Sequence, residues 1–184
     1  MEQTAQRLTL MMELDGPWPG KGRVSQEIAL RENALTLRLE SESDSDTFPA
    51  SAGWHPWFAK WVNTPQDVSD LPLQEALQVS FSADWQEDPG DNELPTGRRI
   101  SPRPGPWDDC FGFKAGVTAR LEWPGKVALV MTSAAPGLVV FDKQPDATCV
   151  NPMTQAPNAI NLSPECVSPQ TPLVIETRWQ FQAP

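Results

Sequence analysis

Between residues 8 and 14 every second position is apolar: Leu8, Leu10, Met12 and Leu14. A period of two places all four on one face of a strand, and Asp15-Gly16-Pro17 ends it. Ile28 and Leu30 alternate with polar neighbours, Glu32-Asn33 supplies turn chemistry, and Leu35, Leu37 and Leu39 resume the alternation, which predicts a β-hairpin. The polar, acidic run 41–46 has nothing to bury and reads as a solvated connection; it lacks the Gly and the distal Glu of a calcium loop. Leu77, Val79 and Phe81 predict a further strand. A second hairpin is predicted by Val117, Ala119, Leu121 and Trp123, a Pro124-Gly125 turn, and Val127, Leu129 and Met131. Residues 138–141 are continuously apolar, as in a strand buried on both faces, and Leu173, Ile175, Thr177, Trp179 and Phe181 alternate to the end.

No segment has a capped helical period, and no repeat or linker divides the chain, so the pattern predicts one all-β domain over residues 1–184, an antiparallel β-sandwich. Between Pro89 and Pro106 the chain holds six further Gly or Pro positions and reads as one long loop, of the kind that often carries function.

Composition supports this picture. Twenty prolines in 184 residues disfavour long helices, since each lacks an N–H and clashes inside a helix. The net charge of −10, from 24 acidic and 14 basic residues, repels phosphate backbones and anionic membranes, which argues against nucleic-acid and membrane partners. Cys110, Cys149 and Cys166 are odd in number and widely spaced, so neither a disulfide framework nor a metal site is indicated, and reduced thiols are expected. The first residues carry no basic region followed by an apolar run, and no stretch approaches the roughly 20 apolar residues of a membrane span, so a cytoplasmic protein is expected. Nothing in the sequence sets an oligomeric state.

Candidate chemistry is confined to three places. His55 is the only histidine and lies between Trp54 and Trp57, with Pro56 next to it. An imidazole among aromatics can exchange protons near neutral pH beside the C–H faces of a sugar, and it can equally be a satisfied member of an aromatic core. Asp108-Asp109 precedes Cys110-Phe111; a carboxylate here could accept hydrogen bonds from hydroxyls, or could simply cap a turn or a strand start. Residues 149–161 are rich in amide, hydroxyl and proline and suit an ordered loop; Asn151, Thr154, Gln155, Asn158 and Asn161 are neutral groups able to read hydroxyls or to hold the loop itself.

Taken together and in this order, these segments resemble the aldose 1-epimerase (galactose mutarotase-like) family. Gly53-Trp54-His55-Pro56-Trp57-Phe58 is similar to that family's His-Pro-Tyr-Phe type motif. Asp108-Asp109-Cys110-Phe111 is similar to its Asp-x-x-Phe, and residues 149–161 to its Glu-Pro-x-Thr-x-x-Pro-x-Ala-x-Asn signature. The resemblance implies a shortened galactose mutarotase-like supersandwich that interconverts the α and β anomers of an aldohexose without metal or cofactor, its partner being a small sugar. It corresponds to the later portion of a family member; the earlier portion, with an arginine and a second histidine at the sugar site, has no counterpart before Leu8. By the resemblance His55 is the acid that protonates the ring oxygen, Asp108 holds sugar hydroxyls, and Trp54 and Trp57 form the sugar platform. The family's glutamate base falls at Asn151, an amide that cannot accept the proton, and Glu165 lies beyond the matched motif. The substitution keeps open a noncatalytic sugar-binding sandwich, and the missing earlier portion an inactive truncated fragment.

Overall fold

The computed structural model describes residues 2–62, 75–91 and 93–183. Among the described residues sixteen strands and one helical turn are arranged in two large antiparallel sheets and one small one. The larger sheet has eight strands, in the order β1 (Glu2–Gln3), β2 (Arg7–Leu14), β3 (Gly22–Arg31), β4 (Ala34–Ser43), β16 (Leu173–Gln182), β12 (Val127–Ser133), β11 (Val117–Trp123) and β7 (Gln78–Phe81). The second has six: β6 (Trp57–Ala59), β14 (Ala147–Met153), β13 (Gly137–Phe141), β10 (Asp108–Gly112), β8 (Trp85–Glu87) and β9 (Arg99–Ile100). A third sheet pairs β5 (Phe48–Pro49) with β15 (Cys166–Val167).

Both predicted hairpins form. Arg31 pairs with Ala34 across the two-residue Glu32-Asn33 loop. Trp123 pairs with Val127 across Pro124-Gly125, where Gly125 takes φ +68° and Lys126 N–H donates to the Trp123 carbonyl (3.0 Å). Pro at the second position and a positive-φ Gly at the third are the residues a type II turn requires.

The core lies between the two large sheets. Leu121, Leu129 and Met131 from the eight-stranded sheet meet Phe111, Leu138, Val140 and Val150 from the six-stranded one, all essentially without solvent contact. Burying each such side chain stabilises the fold by about 1.5–3 kcal/mol relative to leaving it in water. At one edge Phe58 packs on Trp123 and Trp179, and the Trp123 indole N–H donates to the Ala59 carbonyl (2.9 Å), tying β6 to the opposite sheet. A second, smaller cluster forms where Phe48 and Val167 of the third sheet cover Leu14.

The structure corrects three expectations and qualifies a fourth that it bears out. The run 41–46 is not wholly solvated: β4 continues through Ser43, Ser41 and Ser43 are buried, and the Ser43 hydroxyl donates to the Asp46 carbonyl. Serine is small enough to be buried within a strand, so polarity alone did not end it; the Ser41 hydroxyl is buried without a partner among the described residues. Residues 89–106 are not one loop, because Arg99 and Ile100 form β9 and pair with Glu87 and Gln86; position 92 lies outside the described residues. Residues 149–161 are not a loop throughout, since β14 runs to Met153 and a four-residue helix, α1 (Ala159–Leu162), follows. The strand predicted at residues 8–14 forms with its four apolar residues on one face, yet only Leu14 is buried, with Leu10 37% and Met12 62% exposed.

Candidate functional site

The site is set by the pairing of β14. Cys149 stands opposite Trp57 of β6 and Phe141 of β13, and Phe141 stands opposite Asp108 of β10. Residues directly opposite share a face, so Trp57, Cys149, Phe141 and Asp108 form one row across four strands. Two residues along, Asn151, Val139 and Cys110 form the next row on the same face. The alternate positions, Phe58, Val150, Val140 and Phe111, point into the core. Strand alternation therefore sends the residues of two candidate motifs to opposite sides: Asp108 to the face away from the core, Phe111 into it.

His55 reaches this face by an interrupted pairing. Gly53 forms an isolated bridge with Met153, and Trp57 pairs with Cys149, which is the same register. Continued through the intervening residues, that register sets His55 opposite Asn151. The ladder breaks there because Pro56 has no N–H to give; Trp54 N–H still donates to the Pro152 carbonyl (3.1 Å). Gly53 is closely approached, since a Cβ would lie 2.9 Å from Met153 Sδ and 3.1 Å from the Pro152 carbonyl oxygen, and a side chain there would force these neighbours to give way. Thr154 fixes the far end, its hydroxyl accepting from Ala52 N–H (2.9 Å).

His55 Nδ1 lies 3.0 Å from Cys149 Sγ, and Cys149 Sγ lies 3.0 Å from Asn151 Oδ1 and 3.3 Å from the Pro56 carbonyl. Asn151 is 2% exposed, whereas His55 is exposed and stacks on Trp57, with ring centroids 5.9 Å apart. Trp57, itself 51% exposed, meets Phe141 edge-on at 5.8 Å. The core-packing alternative for His55 is thus set aside: the ring lies at the surface. Trp54 is partly buried, and its indole Nε1 is a buried donor without a hydrogen-bond partner among the described residues.

Asp108 is exposed, with Lys143 Nζ 3.7 Å from its Oδ2. Two strand spacings separate it from Cys149, about 10 Å. The structure therefore brings His55, Asn151 and Trp57 together and places Asp108 across Phe141 from them, a gap that a sugar ring could bridge. A cavity of about 170 Å³ lined by Asp108, Cys110, Val139 and Pro157 opens on the Asp108 side, with Val139 directly beside Asn151. A larger one of about 300 Å³ lies further along, among Trp85, Arg99, Thr154, Gln155 and Glu165. Asp109, the neighbour of Asp108, turns inward and accepts from Gln86 Nε2 (2.6 Å), a structural role. Asn158 and Asn161 bond to each other's side chains and Asn158 to the Pro95 carbonyl, holding the α1 turn. Among the described residues no group of three or more His, Cys, Asp or Glu side chains is placed to hold a metal ion, and no helix is long and apolar enough to cross a membrane.

Cys149 was not singled out by the sequence; only its membership of the motif was. Reading residues 149–153 as a strand would have found it, because a spacing of two sets it on the face of Asn151. Burial raises its thiol pKa, opposed by the bond to Asn151, and burial with the nearby Glu87 and Asp109 charges pushes Cys110 up to about 12. Cys166 is exposed. A thiol reagent at about pH 8 is expected to modify Cys166 alone in the native protein, and all three cysteines after denaturation, because only the thiolate reacts. Counting labelled sites by mass spectrometry checks this.

Residues 2–173 match the family model described as aldose 1-epimerase. The chain belongs to the aldose 1-epimerase family. Solved structures agree on the fold. A candidate aldose 1-epimerase of Escherichia coli superimposes with a TM-score of 0.76 at 21% identity, covering 100% of this chain and 68% of that one. A galactose mutarotase-like protein of Clostridium acetobutylicum gives 0.76 at 14%, covering 100% and 64%, and one of Lactobacillus casei gives 0.77 at 12%, covering 99% and 72%. The galactose mutarotase-like β-sandwich is therefore the fold of this chain, which spans roughly two thirds of the length of these relatives. No curated protein sequence matches the chain.

Proposed function

We propose that this member of the aldose 1-epimerase family binds an aldose on the open face of its six-stranded sheet and interconverts its anomers through His55, at a rate limited by the amide at position 151. The observation that carries the reading is the register that sets an exposed imidazole beside Asn151, the position of the family's base, on the same face as Asp108. In the proposed complex Trp57 supplies apolar surface to the ring and the Asp108 carboxylate accepts from its hydroxyls, while Trp54, opposite Pro152 on the core-side alternation with its indole N–H buried, supports the segment from behind. As the anomeric hydroxyl gives up its proton and the C1–O5 bond opens, His55 delivers a proton to the ring oxygen, so that none is gained or lost, and the aldehyde recloses on either face by the reverse transfers.

One observation favours a second reading, binding without turnover. Asn151 cannot take a proton from the anomeric hydroxyl, and its Oδ1 already faces the Cys149 thiol. Polarimetry of freshly dissolved α-D-glucose or α-D-galactose separates the two. Acceleration that is lost in His55→Ala supports epimerisation; saturable sugar binding with relaxation at the buffer rate supports the second reading and sinks the first.

A further inference from the structure

The contacts of Cys149 bear on which nitrogen of His55 can exchange a proton. A thiol carries one proton, and three groups lie within reach of this sulfur: Asn151 Oδ1 (3.0 Å), the Pro56 carbonyl (3.3 Å) and His55 Nδ1 (3.0 Å). Two of the three are oxygens that only accept, so the S–H is directed to one of them, Asn151 Oδ1 being the nearer. The remaining contact then needs its proton from the ring: Nδ1–H donates to sulfur. Cys149 has no solvent-accessible surface, so water does not compete for these bonds. Burial also keeps the group a thiol near neutral pH.

We infer that Cys149 is a positioning residue that holds neutral His55 in the Nδ1–H tautomer, leaving Nε2 as the nitrogen that exchanges protons with a bound sugar. The bond on one ring nitrogen decides the state of the other. An unprotonated Nε2 is an acceptor at rest, which is the property Asn151 lacks. The same ring can then serve both transfers. Nε2 takes the proton of the anomeric hydroxyl as the O1 electron pair forms the carbonyl and the C1–O5 bond breaks, and the imidazolium returns that proton to O5. Reclosure runs the sequence in reverse, and no proton is gained or lost overall. Asn151, with Oδ1 occupied by the thiol, has only its amide N–H donors left, which suit the carbonyl oxygen formed at O1. This kinetic consequence rests on the proposed sugar site; the tautomer itself does not.

His55 is the only imidazole in the chain, so ¹⁵N NMR of histidine-labelled protein reads it without ambiguity. In the sugar-free protein above the imidazole pKa, Nδ1 is expected to be the protonated nitrogen. Cys149→Val should lose that preference and Cys149→Ser should restore it, because a hydroxyl can donate to Asn151 and accept from Nδ1–H in the same way. Cooperative melting of each variant confirms that the ring, not the fold, has changed. Finding Nε2 protonated in the parent, or the same tautomer in parent and Cys149→Val, overturns the inference. In polarimetry, Cys149→Val is expected to lose at least about tenfold in rate and Cys149→Ser to keep most of it. If the tautomer follows the prediction and no variant, parent included, accelerates mutarotation, the sugar-site reading has failed and the role of Cys149 stands.

Discussion

Replacing Asn151 by Glu is expected to raise the rate of anomer interconversion by about 10²–10⁴-fold over the parent, the range a positioned general base contributes. Position 151 suits a carboxylate base in two respects. It is almost fully buried, and burial raises a carboxyl pKa towards the neutral range in which a base works best. It also adjoins the Cys149 thiol, which would orient the carboxylate by donating to it as it donates to the amide oxygen. The gain depends on His55 as the partner acid. Asn151→Glu combined with His55→Ala should therefore relax a fresh sugar solution no faster than the parent, and polarimetry of the four proteins, parent, two single variants and the double, makes the comparison. A gain that survives the loss of His55 would remove the imidazole from the mechanism.

The largest effect on stability is expected from Phe111→Ala. Phe111 is 1% exposed and lies at the centre of an aromatic group, with ring centroids 4.8 Å from Phe81 and 6.0 Å from Trp107. Truncating a buried phenylalanine costs about 3–5 kcal/mol, because rings fixed on separate segments, Phe81 in β7 and Trp107 just before β10, cannot close the cavity. In a domain of this size each kcal/mol lowers the melting temperature by about 2–4 °C, so a drop of roughly 6–20 °C is expected by circular dichroism or calorimetry. Asp108→Asn, three residues earlier on the opposite face, should leave melting nearly unchanged and weaken sugar binding. The contrast would separate the two ends of one motif by what each end touches.

Much of the fold was legible because alternation is a strong signal when one face of a strand is buried. The hairpins read at residues 28–39 and 117–131 and the final strand follow directly from it. The signal fails where small polar residues are buried, as at Ser41 and Ser43, and where a strand is too short to alternate, as at Arg99–Ile100. It also failed at residues 149–153, where Asn151 and Pro152 look like loop chemistry. Asn151 is in fact a buried strand residue whose amide oxygen accepts from a neighbouring thiol, and Pro152 turns to the core side beside Leu138. The family motifs found His55, Asn151 and Asp108, and the pairing of β14 then explained why those three share a face. The thiol between the imidazole and the amide was not legible, because nothing in a cysteine's sequence context tells which face it takes until the strand is known.

Two fixed points bracket His55, the Gly53–Met153 bridge and the Trp57–Cys149 pair, with three residues between them on each strand. The position of the imidazole is therefore a matter of counting. Lengthening the upper path by one residue would leave both anchors and the core behind them intact, yet the ring would no longer face position 151. Segment length at residues 54–56 is thus a handle on chemistry that is separate from stability, and grafting this face onto another sandwich would require copying that count before copying any side chain.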